Sequence, residues 1–527
     1  MGFLKKHSEL IYFIALLIIA AGMPLGNFFM SLGGIILVVS WLFHGNLWYK
    51  IQLAFSNRII LGMAAFYALH LIGMFYSDDM QYALNDARIK IPLLLYPMII
   101  YAMPRPEEKK INILLAVFVI GVLISTFISF FVYLGVIPPK KDIADIRNIS
   151  LFISHIRLSL LVCVAISLLV YFSVKRKNLR VPVVFLILWF VYFLYLLISA
   201  TGFVILSALL LFLLLVLALK KGNIYLRLGY FALAVVLVVV PSRHIHQRFI
   251  LFFTPTEDIS NLDITTENGE PYIHEIKNLV IENGKFINIY IAPRELEEAW
   301  MKRSSWPYAS WDKQKHPLRH TIVRYMTSKG LRKDKKGVEA LTEEDIKNIE
   351  NGIPNYHYTV SNNINKRLDQ FFFELEIYFK GLSPVGGSIV QRLEFWKNGW
   401  MIFKENKWVG VGTGDVQMAF NNMYERNESL LDNEHRLRSH NQFLSVMVAF
   451  GLVGLTLFLT ALILPLLKAI RKKNLLYIAF FIVAFMSFLT EDTLETQAGV
   501  TFFSFLNAVL LFFIPGKANG EQQINQP

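Results

Sequence analysis

The chain has 527 residues, 55% of them hydrophobic and 17% charged, with a mean hydropathy of +0.46. Soluble domains run at about 45–50% apolar and about 25% charged, so an ordinary soluble enzyme is excluded. The 14% aromatic content and the lack of short repeats exclude disordered, collagen-like and coiled-coil chains, and the single cysteine, Cys163, excludes a disulfide framework or a Cys-based metal site within one chain.

Apolar runs with polar punctuation predict an all-α polytopic membrane protein of about 12 transmembrane helices. The runs are 8–24, 27–44, 57–76, 88–103, 111–135, 156–174, 181–199, 202–219, 225–241, 441–467, 474–490 and 497–514. No small-residue cleavage pattern follows the first, so it reads as a retained helix and not a removed signal peptide. The break at Ser199-Ala200-Thr201-Gly202 is tight enough to be a loop or a kink in one long helix.

The net charge of +13 is unevenly distributed. With the N-terminus inside, the inner connections hold Lys5, Lys6, Lys109, Lys110, Arg471, Lys517 and many more. The short outer connections hold only Arg88, Lys90, Lys140, Lys141 and Arg147. Cationic residues mark the cytoplasmic side. The expected organisation is therefore helices 1–9 over 1–241, a large periplasmic loop at 242–440, helices 10–12 over 441–514 and a cytoplasmic tail at 515–527.

The loop is domain-sized and reads as α+β. His274–Ala292 is a hairpin candidate, because strand-like runs flank Glu282-Asn283-Gly284 and Asn-Gly suits a tight primed turn. Pro293–Arg303 reads as a helix with Pro in its first turn. Thr342–Glu350 reads as another, with Thr342 and Asp345 at capping-box spacing and Gly352 as its stop. Asn362–Lys380 carries an aromatic stripe. Clusters such as Arg332-Lys333 read as solvated surface, with no nucleic acid partner expected on an outer face.

Candidate chemistry concentrates after residue 388. Arg392 lies on an amphipathic helix, Gln391–Trp400, whose aromatic face suits a membrane surface. Gly410-Val411-Gly412-Thr413-Gly414-Asp415 offers backbone amides for an anion or an acceptor, or is simply a turn. His440 stands where the chain re-enters the membrane. A neutral imidazole there can take a hydroxyl proton near pH 7, or can merely bond a neighbour. Arg157 opens the sixth span, Arg88 and Lys90 open the fourth, and Arg243 and Arg248 leave the ninth. Each alone reads as a snorkelling cation. Together with Arg392 they put positive charge on a side otherwise depleted of it, and guanidinium forks suit a diphosphate. Asp78-Asp79 and Glu491-Asp492 are acidic pairs, but no metal motif is placed on the outer face. The spans show almost no charge at mid-depth, which argues against an ion-coupled transporter.

Twelve spans, a large loop before span ten, Arg392 and Trp396 at Arg-x3-Trp spacing, Gly410, Gly412 and Gly414, and His440-Asn441 at re-entry resemble the O-antigen ligase and polymerase superfamily. The likeness is most specific from about Arg392 to Leu455, and 255–380 resembles an elaboration of Bacteroides-type members. The resemblance implies a GT-C-like, metal-independent, inverting glycosyltransferase without cofactor in the bacterial inner membrane, its active site facing the periplasm. It implies transfer of a preassembled glycan from undecaprenyl diphosphate to lipid A–core. His440 would be the base, with Arg157, Arg392 and more loosely Arg248 on the diphosphate. Arg88, Gly412, Gly414 and Asn441 are possible anion or acceptor contacts. Many relatives carry a Ser-Arg-Gly motif where this chain has Ser199-Ala200-Thr201-Gly202, so the arginine is absent here. A polymerase and a protein O-oligosaccharyltransferase use the same donor. A polysaccharide or lipid transporter and an assembly scaffold are the alternatives of another class.

Overall fold

The computed structural model describes residues 2–139, 146–382, 388–514 and 516; Lys140, Lys141 and, Gly516 apart, the 515–527 tail lie outside them. The chain is mostly helical and divides into two compact units. One comprises Met1–Ala234, Phe395–Glu428 and Arg436–Pro527; the other comprises Val235–Glu394 and Ser429–His435.

In the first unit every apolar run predicted from sequence falls in a helix, as expected where lipid leaves backbone groups no other partner. Seven helices among the described residues are long and apolar enough to cross a membrane, and Asn27–Phe43 with Leu47–Phe55 makes an eighth if that pair, bent by 113°, is one span. The bend falls where Gly45 and Asn46 take positive φ. By length and hydropathy the count is thus seven or eight, against twelve expected. Arg58–Met74, Leu475–Thr490 and Gln497–Phe512 are apolar but shorter. Run 88–103 ends one residue past the helix Met80–Ala102, whose N-terminal half carries Asp86, Arg88 and Lys90.

The break at Ser199 separates two helices, Arg180–Leu196 and Ala200–Leu219. Ser199 caps the second by accepting from the Gly202 amide at 3.1 Å, and it also takes a 2.7 Å hydrogen bond from Ser159. A Cβ on Gly202 would meet Leu194 at 2.9 Å, so the two helices pack closely at this glycine.

The longest carboxy-terminal helix, Gln442–Arg471, is broken at Gly451, where φ is +60° and ψ −149°. Residues 407–412 run alongside the break: the Val411 and Gly412 amides donate to Val448 and Ala449, and Leu452 donates back to Lys407. Backbone groups freed by the kink thereby find partners inside the protein.

The second unit is helix and loop around Leu296, Trp300, Leu318, Ile322, Tyr325 and Met326. Its only regular sheet among the described residues is a hairpin, Ile281–Glu282 against Lys285–Phe286, so α+β overstates its strand content. Asn283 and Gly284 form the turn, both at positive φ, as a primed two-residue turn requires. Helices follow at Pro293–Arg303, Leu318–Lys329, Glu343–Glu350 and Asn363–Phe379. Thr342 and Asp345 complete a reciprocal capping box, and Gly352 follows that helix with φ +79°.

Candidate active site

In the first unit three helix ends come together. Ser154 caps the His155–Lys175 helix by accepting from the Arg157 amide. Glu491 follows the Leu475–Thr490 helix directly, and Asn441 caps Gln442–Arg471 by accepting from the Leu444 amide at 3.1 Å. The peptide before that last helix has little freedom. His440 sits in the left-handed region at φ +47°, uncommon outside glycine and a cost unless the surroundings impose it. Here they do. The His440 amide donates to Asp492 at 3.1 Å, the buried Ser439 hydroxyl donates to Asp492 at 3.2 Å, and Ser445 donates to the same carboxylate at 2.8 Å. Trp396 donates its indole N–H to the Ser439 carbonyl at 2.9 Å.

The His440 ring is aimed as well as anchored. Its Nδ1 lies 3.3 Å from a Glu491 carboxylate oxygen, and the ring rests against Phe395 with centroids 5.7 Å apart. In the tautomer whose Nδ1–H donates to Glu491, Nε2 is the basic nitrogen of the neutral ring. Glu491 and the half-buried Arg157 line one pocket, whose other walls include Leu160, Leu161, Ala498 and Phe502. The pocket is thus largely apolar, with a guanidinium and a carboxylate among its lining groups.

Behind His440 lies a second charged group. Lys90, only 2% exposed, pairs with Asp86 at 2.6 Å and Glu495 at 2.9 Å. Arg438 joins Glu495 at 3.3 Å and stands over the Tyr82 ring. Burial raises the Asp492 carboxyl above its ordinary value, with Glu495 adding to the rise. Burial also acts to raise Glu495, but the charges of Lys90 and Arg438 outweigh it and hold that carboxyl well below the usual range.

The other expected residues divide. Arg88 is exposed and donates to Asn85 at 2.8 Å, so the sequence paired the wrong residues: Lys90, read with it as a snorkelling cation, is buried. Gly412 and Gly414 do not offer free amides. Their N–H groups go to Ala449 and Ser77, and Asp415 accepts from the Asp78 and Asp79 amides at 2.9 and 3.0 Å. Glycine is required there by closeness: a Cβ would lie 2.6 Å from Ser77 Oγ at Gly412 and 2.3 Å from the Asp79 carbonyl oxygen at Gly414. The turn is a packing device and no anion nest. Asn441 is spent on its cap, its amide nitrogen donating to Leu489. Arg248, in the second unit, forks onto the fully buried Asp369 carboxylate at 2.8 and 2.6 Å, so its fork is taken within the protein. Arg392 is half-buried on the Ser388–Glu405 helix and also belongs to the second unit.

Sequence reasoning noted Glu491-Asp492 only as an acidic pair and passed over Asp86, Arg438 and Glu495 as site residues. One signal was available: Asp86 and Lys90 have i,i+4 spacing, which places them on one helix face. The chain is a multi-pass membrane protein. No curated protein matches it. Residues 351–459, which contain the Ser388–Glu405 helix, the glycine turn and His440, match the family model described as O-antigen ligase.

Proposed function

We propose that the protein is a glycosyltransferase that moves a preassembled glycan from undecaprenyl diphosphate to lipid A–core, at the periplasmic face of a bacterial inner membrane. The reading is supported by the family match over 351–459 and by one geometric relationship: His440 contacts Glu491, and Glu491 shares a pocket with Arg157.

In this reaction the acceptor hydroxyl attacks C1 of the donor sugar. His440 Nε2 takes the hydroxyl proton as the new C1–O bond forms. The bond from C1 to the diphosphate oxygen breaks, and its electron pair leaves with the lipid diphosphate. A single displacement inverts the anomeric centre. Glu491 holds the imidazole and balances the charge it gains. Arg157 stabilises the diphosphate as negative charge builds on it. Arg248 is not available for that role, because Asp369 occupies its fork.

The test is reconstitution with a lipid-diphosphate glycan and lipid A–core, followed by a gel for the joined product. A product from wild type and none from His440→Ala supports the proposal. Lengthening of the lipid-linked glycan without joining to lipid A–core would identify a polymerase, and equal product from both proteins would overturn the role of His440.

A further inference from the structure

We infer that Glu495 is a positioning residue: it neutralises two cations from distant parts of the chain, Lys90 and Arg438, and so holds the His440 peptide in register against Asp492 and Glu491. The inference rests on the glycosyl-transfer reading and names a residue outside the reacting groups.

Four charges form one line, Asp86–Lys90–Glu495–Arg438, with successive separations of 2.6, 2.9 and 3.3 Å. Two are cations and two are anions, so the group is neutral as a whole. Glu495 is its only member in contact with both cations. Its other carboxylate oxygen accepts from the Gln442 side-chain amide at 3.2 Å, and Gln442 in turn accepts from the Leu494 amide at 2.7 Å. Glu495 therefore fastens the 491–495 connection to both sides of His440: Arg438 two residues before it and Gln442 two residues after it. The same connection carries Glu491 and Asp492, which touch the His440 ring and amide. A left-handed histidine held on three sides keeps its ring on Glu491 without searching other rotamers.

The line also sets the field at the imidazole. Charged groups around His440 include Glu491 at its ring and Asp492 at its amide, Arg438 two residues before it and Arg157 in the pocket that Glu491 lines, with the Phe395 ring against one face. Asp492 in turn senses Glu495, Arg438 and His440. Removing one member of a neutral buried line leaves a net charge that water does not screen well. The sign follows from the member removed. Glu495→Gln leaves net positive charge and disfavours imidazolium. Lys90→Met leaves net negative charge and favours it. The double variant is neutral again.

The experiment measures carbethoxylation of His440 by diethyl pyrocarbonate against pH, read by peptide mass spectrometry on the full-length protein in detergent. Only the neutral ring reacts, so the midpoint reports its titration. Relative to wild type, the midpoint should fall by about 1 pH unit in Glu495→Gln, rise by a similar amount in Lys90→Met and return in the double variant. In parallel, kcat for glycan transfer should fall in both single variants more than KM changes, with its acid limb displaced in the same directions. Unmoved midpoints in the single variants, or movement of both in one direction, would overturn the inference; if one single variant does not fold, the other and the double still decide it. The labelling needs no turnover. An enzyme that shows the expected midpoints but joins no glycan would leave the positioning intact and refute the glycosyl-transfer reading.

Discussion

Gly451 faces the Lys407–Trp408 peptide so closely that a Cβ on it would lie 2.4 Å from the Trp408 carbonyl carbon. Its φ of +60° with ψ of −149° is a conformation that only glycine adopts cheaply. Gly451→Ala should therefore cost stability twice, through backbone strain of about 1–3 kcal/mol and through the clash. A lower midpoint of thermal unfolding in detergent is expected, with glycan transfer reduced because the same helix begins beside His440. An unchanged melt would mean that the kink relaxes without cost.

His440→Ala should lower kcat by about 10²–10⁴-fold, the usual contribution of a positioned base. Glu491→Gln keeps the size of its side chain and loses its charge, so it should lower kcat less and leave KM for the lipid donor nearly as it was. Steady-state kinetics at several donor concentrations check both. A KM effect from Glu491→Gln with unchanged kcat would assign Glu491 to binding.

Arg248→Ala should act on folding. It would strand the Asp369 carboxylate, which is fully buried, and breaking such a pair from one side costs about 3–5 kcal/mol. The expected result is lower yield and melting temperature, partly restored in Arg248→Ala/Asp369→Asn. Normal stability with a raised KM for the donor would return Arg248 to the diphosphate.

Lys333 gives a pH dependence. It is 3% exposed and donates to the Ile289 carbonyl at 2.9 Å, and burial pulls its amine down from 10.5 to about 8. Below about pH 8 the amine is charged folded and unfolded, and the full desolvation cost is present. Between about 8 and 10.5 the unfolded state binds more protons than the folded one, so stability rises with pH. Wild type should thus gain stability relative to Lys333→Met as pH rises through that window. Parallel melting curves for the two proteins would show that the amine is not desolvated.

Features that depend on a few neighbouring residues were determined by the sequence itself. The Asn283-Gly284 turn, the Thr342–Asp345 capping box and the Pro293 helix start each rest on contacts within a handful of positions. Hydrophobic runs likewise locate the helices, since lipid and backbone hydrogen bonding act on local composition. The site was legible only as a set of candidates. His440, Arg157 and Arg392 stood out as residue types near helix ends, whereas their partners did not. Lys90 meets Glu495 across 405 positions and Arg248 meets Asp369 across 121, separations at which no periodicity carries information. Arg88 and Lys90 look alike in sequence, and only packing decides that one is exposed and the other buried in a line of opposite charges. The tertiary structure also decided that the glycine turn spends its amides on Ala449 and Ser77, because whether a backbone group is free depends on which distant segment comes to lie against it.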